Sequence, residues 1–152
     1  MADAHPSSAQ TLQSASVMIV EDQNFVRDLV GRLLASLSIP KVSSVRSAED
    51  ALQTLESDPD GANVVIVDFE LPGISGVKFI EKLRASTHRQ LKEMPVVMLT
   101  GHKDMALYRE AARLGISAFL VKPAGPGTLK TALEEALAGR IVAVPHLAAD
   151  SD

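Results

Sequence analysis

The run Val64-Val65-Ile66-Val67, closed by Asp68, constrains this chain more than any other stretch. Four consecutive β-branched apolar residues predict a strand buried on both faces, as inside a parallel sheet covered by helices. A carboxylate ends the run, and Leu71-Pro72-Gly73 follows as a turn signal. A second apolar strand, Val17-Met18-Ile19-Val20, ends the same way, in Glu21-Asp22. Open α/β sheets keep their chemistry just past the carboxyl ends of the strands. Two strand ends therefore bring three carboxylates toward one point.

Further strands are predicted at 42–45, 96–99 and 117–121, the first of them polar enough to be an edge. Between the strands run amphipathic helical patterns. After Asp22 the stripe is Phe25, Val26, Leu29, Val30, Leu33, Leu34 and Leu37, and Pro40 ends it. Ser47 is placed to cap a second helix whose inner face is Ala48, Ala51, Leu52 and Leu55. A third helix turns Val77, Ile80 and Leu83 inward, and the polar 85–94 segment after it reads as frayed helix and loop. The fourth, about 103–114, buries Leu107, Ala111 and Leu114 and stops at Gly115 as its C′ residue. The fifth, about 127–138, aligns Leu129, Leu133 and Leu137 before Gly139. Strands alternating with helices through short loops predict an α/β fold, a five-stranded parallel sheet with helices on both faces.

The 152 residues suit one domain, expected over 16–139, with tails at 1–15 and 140–152. At 3% aromatic residues, aliphatic side chains must fill the core. A net charge of −4 gives no electrostatic footprint for nucleic acid or an anionic membrane. The absence of cysteine excludes disulfides, thiolate metal sites and a thiol nucleophile. No stretch has the pattern of a signal peptide or the length of a membrane span, so a cytoplasmic location is expected.

The strand ends deliver Glu21-Asp22, Asp68, Thr100 and Lys122 to one rim. Clustered carboxylates repel, so either one takes a proton or a cation sits among them. Carboxylate and carbonyl oxygens are hard ligands that favour Mg²⁺ or Mn²⁺ over zinc. With a hydroxyl and an ammonium opposite, such a site suits a phosphoryl group, Asp68 attacking phosphorus in line. No separate specificity pocket is visible, so the group would end on the protein itself.

Over roughly residues 16–138 the chain resembles the response-regulator receiver domains of two-component signalling, of the chemotaxis-regulator type. The matching residues are Glu21-Asp22, Asp68, Pro72-Gly73 with Gly76, Thr100-Gly101 and Lys122-Pro123, in order and each by a strand end. The resemblance implies the strand order 2-1-3-4-5 of the flavodoxin-like (βα)5 receiver fold. It implies Asp68 as phosphoacceptor, Asp22 as direct metal ligand, Glu21 acting mostly through water, and the backbone carbonyl of Glu70 completing the set. Thr100 and Lys122 would grip the phosphoryl oxygens, Phe119 would be the aromatic switch, and Lys122-Pro123 would be cis. The implied donor is a histidine kinase or histidine phosphotransfer protein docking near helix one. The implied output face is helix four, strand five and helix five, with Tyr108, Arg109, Ala112, Arg113 and Phe119 as candidate contacts.

Three positions depart from the family pattern. Phe119 carries no hydroxyl, Glu70 places a further carboxylate two residues after the acceptor, and His102 stands two residues after Thr100. By resemblance, positions 70 and 102 tune the lifetime of the aspartyl phosphate, and Glu70 pairing with His102 or Lys103 would gate the attacking water.

With no DNA-binding or catalytic domain after the last helix, output is expected through protein binding, phosphoryl competition or a homodimer. A phosphorylation-independent binding module is the alternative. An aspartyl-phosphate phosphatase of the haloacid-dehalogenase type fits less well, because Glu70 stands where its second Asp belongs and Pro-Ala-Gly-Pro-Gly follows Lys122. The basic run Arg84, His88, Arg89 and Lys92 reads as a solvated face. Residues 141–144 either dock on the domain, dock on a partner, or are no more than tail.

Overall fold

A computed structural model describes residues 11–101 and 105–143. Five strands, β1 (Ser16–Val20), β2 (Lys41–Val45), β3 (Val64–Asp68), β4 (Val96–Thr100) and β5 (Ala118–Val121), form one parallel sheet in the order β2-β1-β3-β4-β5. Among the described residues six α-helices connect or flank them, α1 (Asn24–Ser36), α2 (Ala48–Ser57), α3 (Gly76–Arg84), the single turn α4 (Arg89–Lys92), α5 (Met105–Arg113) and α6 (Pro126–Leu137), and a 3-10 turn, Leu12–Ser14, precedes β1. The fourth and fifth helices expected from the sequence are thus α5 and α6. Strand β3 is buried at every position, as its uninterrupted apolar run requires, while β2 at the sheet edge is largely exposed.

Side-chain alternation along the strands divides the core in two. Met18, Val20, Val65, Val67, Val96 and Met98 face α2, α3, α4 and α5. Val17, Ile19, Val64, Ile66, Val97 and Leu99 face α1 and α6. The side-chain oxygen of Ser47 caps α2 by accepting from Asp50 N–H at 3.0 Å, and Gly115 closes the segment after α5 with φ of 78°.

Phe25 is 78% exposed rather than facing the core. The stripe of α1 that meets the sheet runs through Val26, Val30, Leu33, Leu34 and Leu37, and Phe25 lies one residue, a rotation of about 100°, to its side. Helix α5 buries Ala111 and Ala112, leaving Leu107 and Leu114 half-buried. Ala112 is therefore packed inside and cannot serve as an output contact, because small residues let the helix lie close against the sheet.

Arg84 is not on a solvated face. Its guanidinium donates to the backbone carbonyls of Leu114 (2.6 Å), Gly115 (2.9 Å), Met94 (2.9 Å) and Lys92 (3.1 Å). One side chain thereby ties the end of α3 to the turns entering β4 and β5, and burial pulls its pKa down. The 85–94 segment adds core as well, through buried Leu91 and Met94. After α6 the chain turns through Gly139 (φ 77°), and Val142 packs against the α2–α5 half of the core. Its N–H donates to Ile116 carbonyl at 2.9 Å, so the first residues beyond the last helix dock on the domain.

Candidate functional site

The carboxyl ends of β1 and β3 lie side by side at the middle of the sheet. Register pairs Val20 with Val67, so the residues that follow, Glu21 and Asp68, emerge as neighbours. Alternation places both on the α1/α6 side of the sheet, and Lys122, two residues beyond Leu120, shares that side. Lys122 Nζ lies 2.9 Å from Asp68 Oδ2 and 3.3 Å from Glu21 Oε1. The second Asp68 oxygen, Oδ1, accepts the Glu70 N–H at 2.9 Å.

Glu21 is wholly buried. Its Oε2 accepts the Gln23 N–H at 3.1 Å, whereas Oε1 has no hydrogen-bond partner among the described residues; it faces the Lys122 charge without hydrogen-bond geometry. Burial, opposed by the Gln23 hydrogen bond and reinforced by the charge of Asp68, raises the Glu21 pKa from 4.5 to about 7. For Lys122 burial acts downward, but its hydrogen bond to Asp68 and the charges of Asp68 and Glu21 outweigh it and hold the pKa above the ordinary lysine value.

Asp22, half exposed, completes the cluster: one carboxylate oxygen each from Glu21, Asp22 and Asp68 lie within 4.8 Å of one another. Three hard oxygen donors, from a set of carboxylates that includes the buried Glu21 Oε1 without a hydrogen bond, fit a small divalent cation such as Mg²⁺ or Mn²⁺. Around this cluster the backbone is closely packed. A Cβ on Gly76 would stand 2.6 Å from the Asp68 carbonyl oxygen and 3.0 Å from Phe69 Cα, so only glycine lets α3 begin against the end of β3. Thr100 ends β4, and its carbonyl accepts the Lys122 N–H at 2.8 Å before the cis Lys122-Pro123 bond.

Residues 17–134 match the model of the response regulator receiver domain. The chain belongs to that family. This receiver domain is 30% identical over 124 residues to Chemotaxis protein CheY-3 of Vibrio cholerae serotype O1, covering 81% of this chain and 92% of that one. It is 32% identical to Transcriptional activator protein ExaE of Pseudomonas putida, over 81% of this chain and 55% of that protein. Among solved structures it resembles the chemotaxis response regulator CheY4 of Vibrio cholerae, with a TM-score of 0.70, 27% identity, and coverage of 80% and 98%. Receiver domains are signalling proteins rather than true enzymes, they bind Mg²⁺ at an acidic pocket, and they imply a histidine kinase or phosphotransfer partner. Among the described residues no helix is long and apolar enough to cross a membrane.

The strand ends bring Glu21, Asp22, Asp68 and Lys122 together, and Thr100 ends the neighbouring strand β4 on the Met98 side of the sheet. Phe119 sits further back along β5, opposite Met98, its ring stacked on Tyr108 with centroids 3.8 Å apart and planes 20° apart. His102 and Lys103, the expected partners of Glu70, lie outside the described residues. Arg27 escaped the sequence pattern: its guanidinium donates to the Glu21 carbonyl at 2.9 Å and to Asn24 Oδ1, bracing the acid-bearing turn. A lone arginine four residues after Gln23 carries no local signal of that contact, because the acceptor is backbone.

Proposed function

We propose that this receiver domain is a phosphorylation switch in which Asp68 accepts a phosphoryl group from a phosphohistidine on a histidine kinase or histidine phosphotransfer protein. A carboxylate oxygen of Asp68 forms the new bond to phosphorus as the P–N bond of the donor breaks, the electron pair leaving with the imidazole. A divalent cation held by Glu21, Asp22, Asp68 and the carbonyl of Glu70 would neutralise charge on the phosphoryl oxygens. Lys122 passes from Asp68 to a phosphoryl oxygen, and Thr100 donates to another. Hydrolysis by water returns Asp68 to a free carboxylate, so self-phosphorylation and self-dephosphorylation are the only chemistry assigned to the chain.

Phosphate adds charge at Asp68 within the acid cluster, and the change spreads through Thr100 and Phe119 to the α5–β5–α6 face, where a downstream protein binds. Tyr108, Arg109, Arg113 and Phe119 remain the candidate contacts there, and homodimerisation is a second output compatible with this face. The signalling unit is taken as 16–139 with Val142 docked on it, and the cytoplasm is the setting consistent with a kinase donor. Glu70 and His102 are assigned the tuning of phosphate lifetime.

The observation that carries this proposal is the buried Glu21 oxygen without a hydrogen bond, beside Asp22, Asp68 and the Lys122 ammonium. Incubation with acetyl phosphate and Mg²⁺ should produce an acid-labile adduct on the intact protein, absent in Asp68→Asn and without Mg²⁺. An adduct on Asp68→Asn, or none on the native chain with either acetyl phosphate or a phosphorylated histidine kinase, refutes it.

A further inference from the structure

We propose that Tyr108 is a positioning residue whose ring, stacked on Phe119, holds the β5 aromatic against α5 and sets how readily the phosphoryl site reorganises. This rests on the phosphorylation function proposed above. Phe119 lies opposite Met98 in β4, two residues before Thr100, and alternation puts Met98, Thr100 and Phe119 on one side of the sheet. The Phe119 ring is half-buried, packed against the α2–α5 half of the core on one side and stacked on Tyr108 on the other.

A shift of Phe119 toward Thr100 must therefore separate the two rings. Lacking a hydroxyl, Phe119 has only packing to define where it rests, and the Tyr108 ring is a large part of that packing. The far end of α5 is restrained by Arg84, which grips the carbonyls of Leu114 and Gly115. Rearrangement of α5 is thereby concentrated in its first half, where Tyr108 stands. Met105, one turn before Tyr108 on α5, and Val121, two residues after Phe119 on β5, are both exposed.

The chain has one tyrosine and no tryptophan, so Tyr108 reports on its own stack. In the full-length protein, adduct formation with acetyl phosphate and Mg²⁺ should change tyrosine fluorescence and near-ultraviolet circular dichroism, and Phe119→Leu should abolish most of that change. Removing the stack with Tyr108→Leu should speed adduct formation about 2- to 10-fold, the range expected for losing one aromatic pair from the resting state. Mg²⁺ affinity should stay within about two-fold, and Tyr108→Phe, which keeps the ring, should keep the native rate. Should Tyr108→Leu fail to fold, the fluorescence of the native protein decides. An adduct that forms while the tyrosine signal stays unchanged, or an unaltered rate in folded Tyr108→Leu, overturns the positioning role and leaves the phosphorylation function standing. No adduct on the native protein overturns both.

Discussion

Lys122 and Asp68, 54 positions apart in the chain, meet at 2.9 Å across the rim of the sheet. The same ammonium stands 3.3 Å from the buried Glu21 oxygen that makes no hydrogen bond. Lys122 thus links the two strand ends that carry the acids, and its charge is the one that must relocate when phosphate arrives. Replacing it with methionine should slow adduct formation by about 10²- to 10³-fold, as removal of a positioned charge donor commonly does. Mg²⁺ binding should persist or tighten, because a competing cation has gone. Stopped-flow phosphorylation and Mg²⁺ titration of Lys122→Met check both halves.

Proton and metal should compete at Glu21. Its pKa is raised from 4.5 to about 7, so between those values the folded chain keeps a proton that the unfolded chain has released. The difference in bound protons, unfolded minus folded, is negative, and metal-free stability should fall as pH rises through this window. The slope from this one group is at most about 1.4 kcal/mol per pH unit. Mg²⁺ affinity should rise over the same interval, by up to about tenfold per unit. Urea unfolding of the native protein and Glu21→Gln from pH 4.5 to 8, with and without Mg²⁺, should show the native-minus-variant slope vanish when metal saturates.

Gly76→Ala should destabilise the fold by about 2–4 kcal/mol, because its methyl group meets backbone at 2.6 Å and 3.0 Å rather than a side chain that can move. Since α3 would be pushed from the end of β3, adduct formation should fall too. Thermal unfolding and the acetyl phosphate assay measure the two effects. Gly31→Ala is the control, since nothing lies within 4 Å of its Cβ and the helix should gain about 0.5–1 kcal/mol.

Arg84→Met should cost about 2–4 kcal/mol by leaving the carbonyls of Leu114, Gly115 and Met94 without their donor, though it lies far from the acid cluster. Mg²⁺ affinity measured well below the melting transition should be unaffected. A variant as stable as the native protein would show that water replaces the clamp without loss.

Much of the molecule is legible without coordinates, because periodicity and strand-end chemistry are local properties of the chain. The run 64–68 reads as a doubly buried strand and is buried throughout. Ser47 reads as a cap and caps. The acids, Thr100 and Lys122 read as a rim because each follows an apolar strand. The pattern alone left the strand order open; the family resemblance supplied it, and the observed β2-β1-β3-β4-β5 sheet agrees.

Other features exist only once the helices are packed. Phe25 reads as core by spacing, yet a rotation of one residue carries it outside the sheet's footprint. Arg84 reads as surface by charge, but its acceptors are backbone carbonyls that sequence does not mark. The Tyr108–Phe119 stack joins a helix and a strand whose separate patterns say nothing of each other. By itself the sequence determined the five strands, the main helices and the residue types at the rim, all set by neighbours a few positions apart. Only the tertiary structure decided which charge meets which oxygen and which ring covers which, since those contacts depend on how whole elements lie against one another.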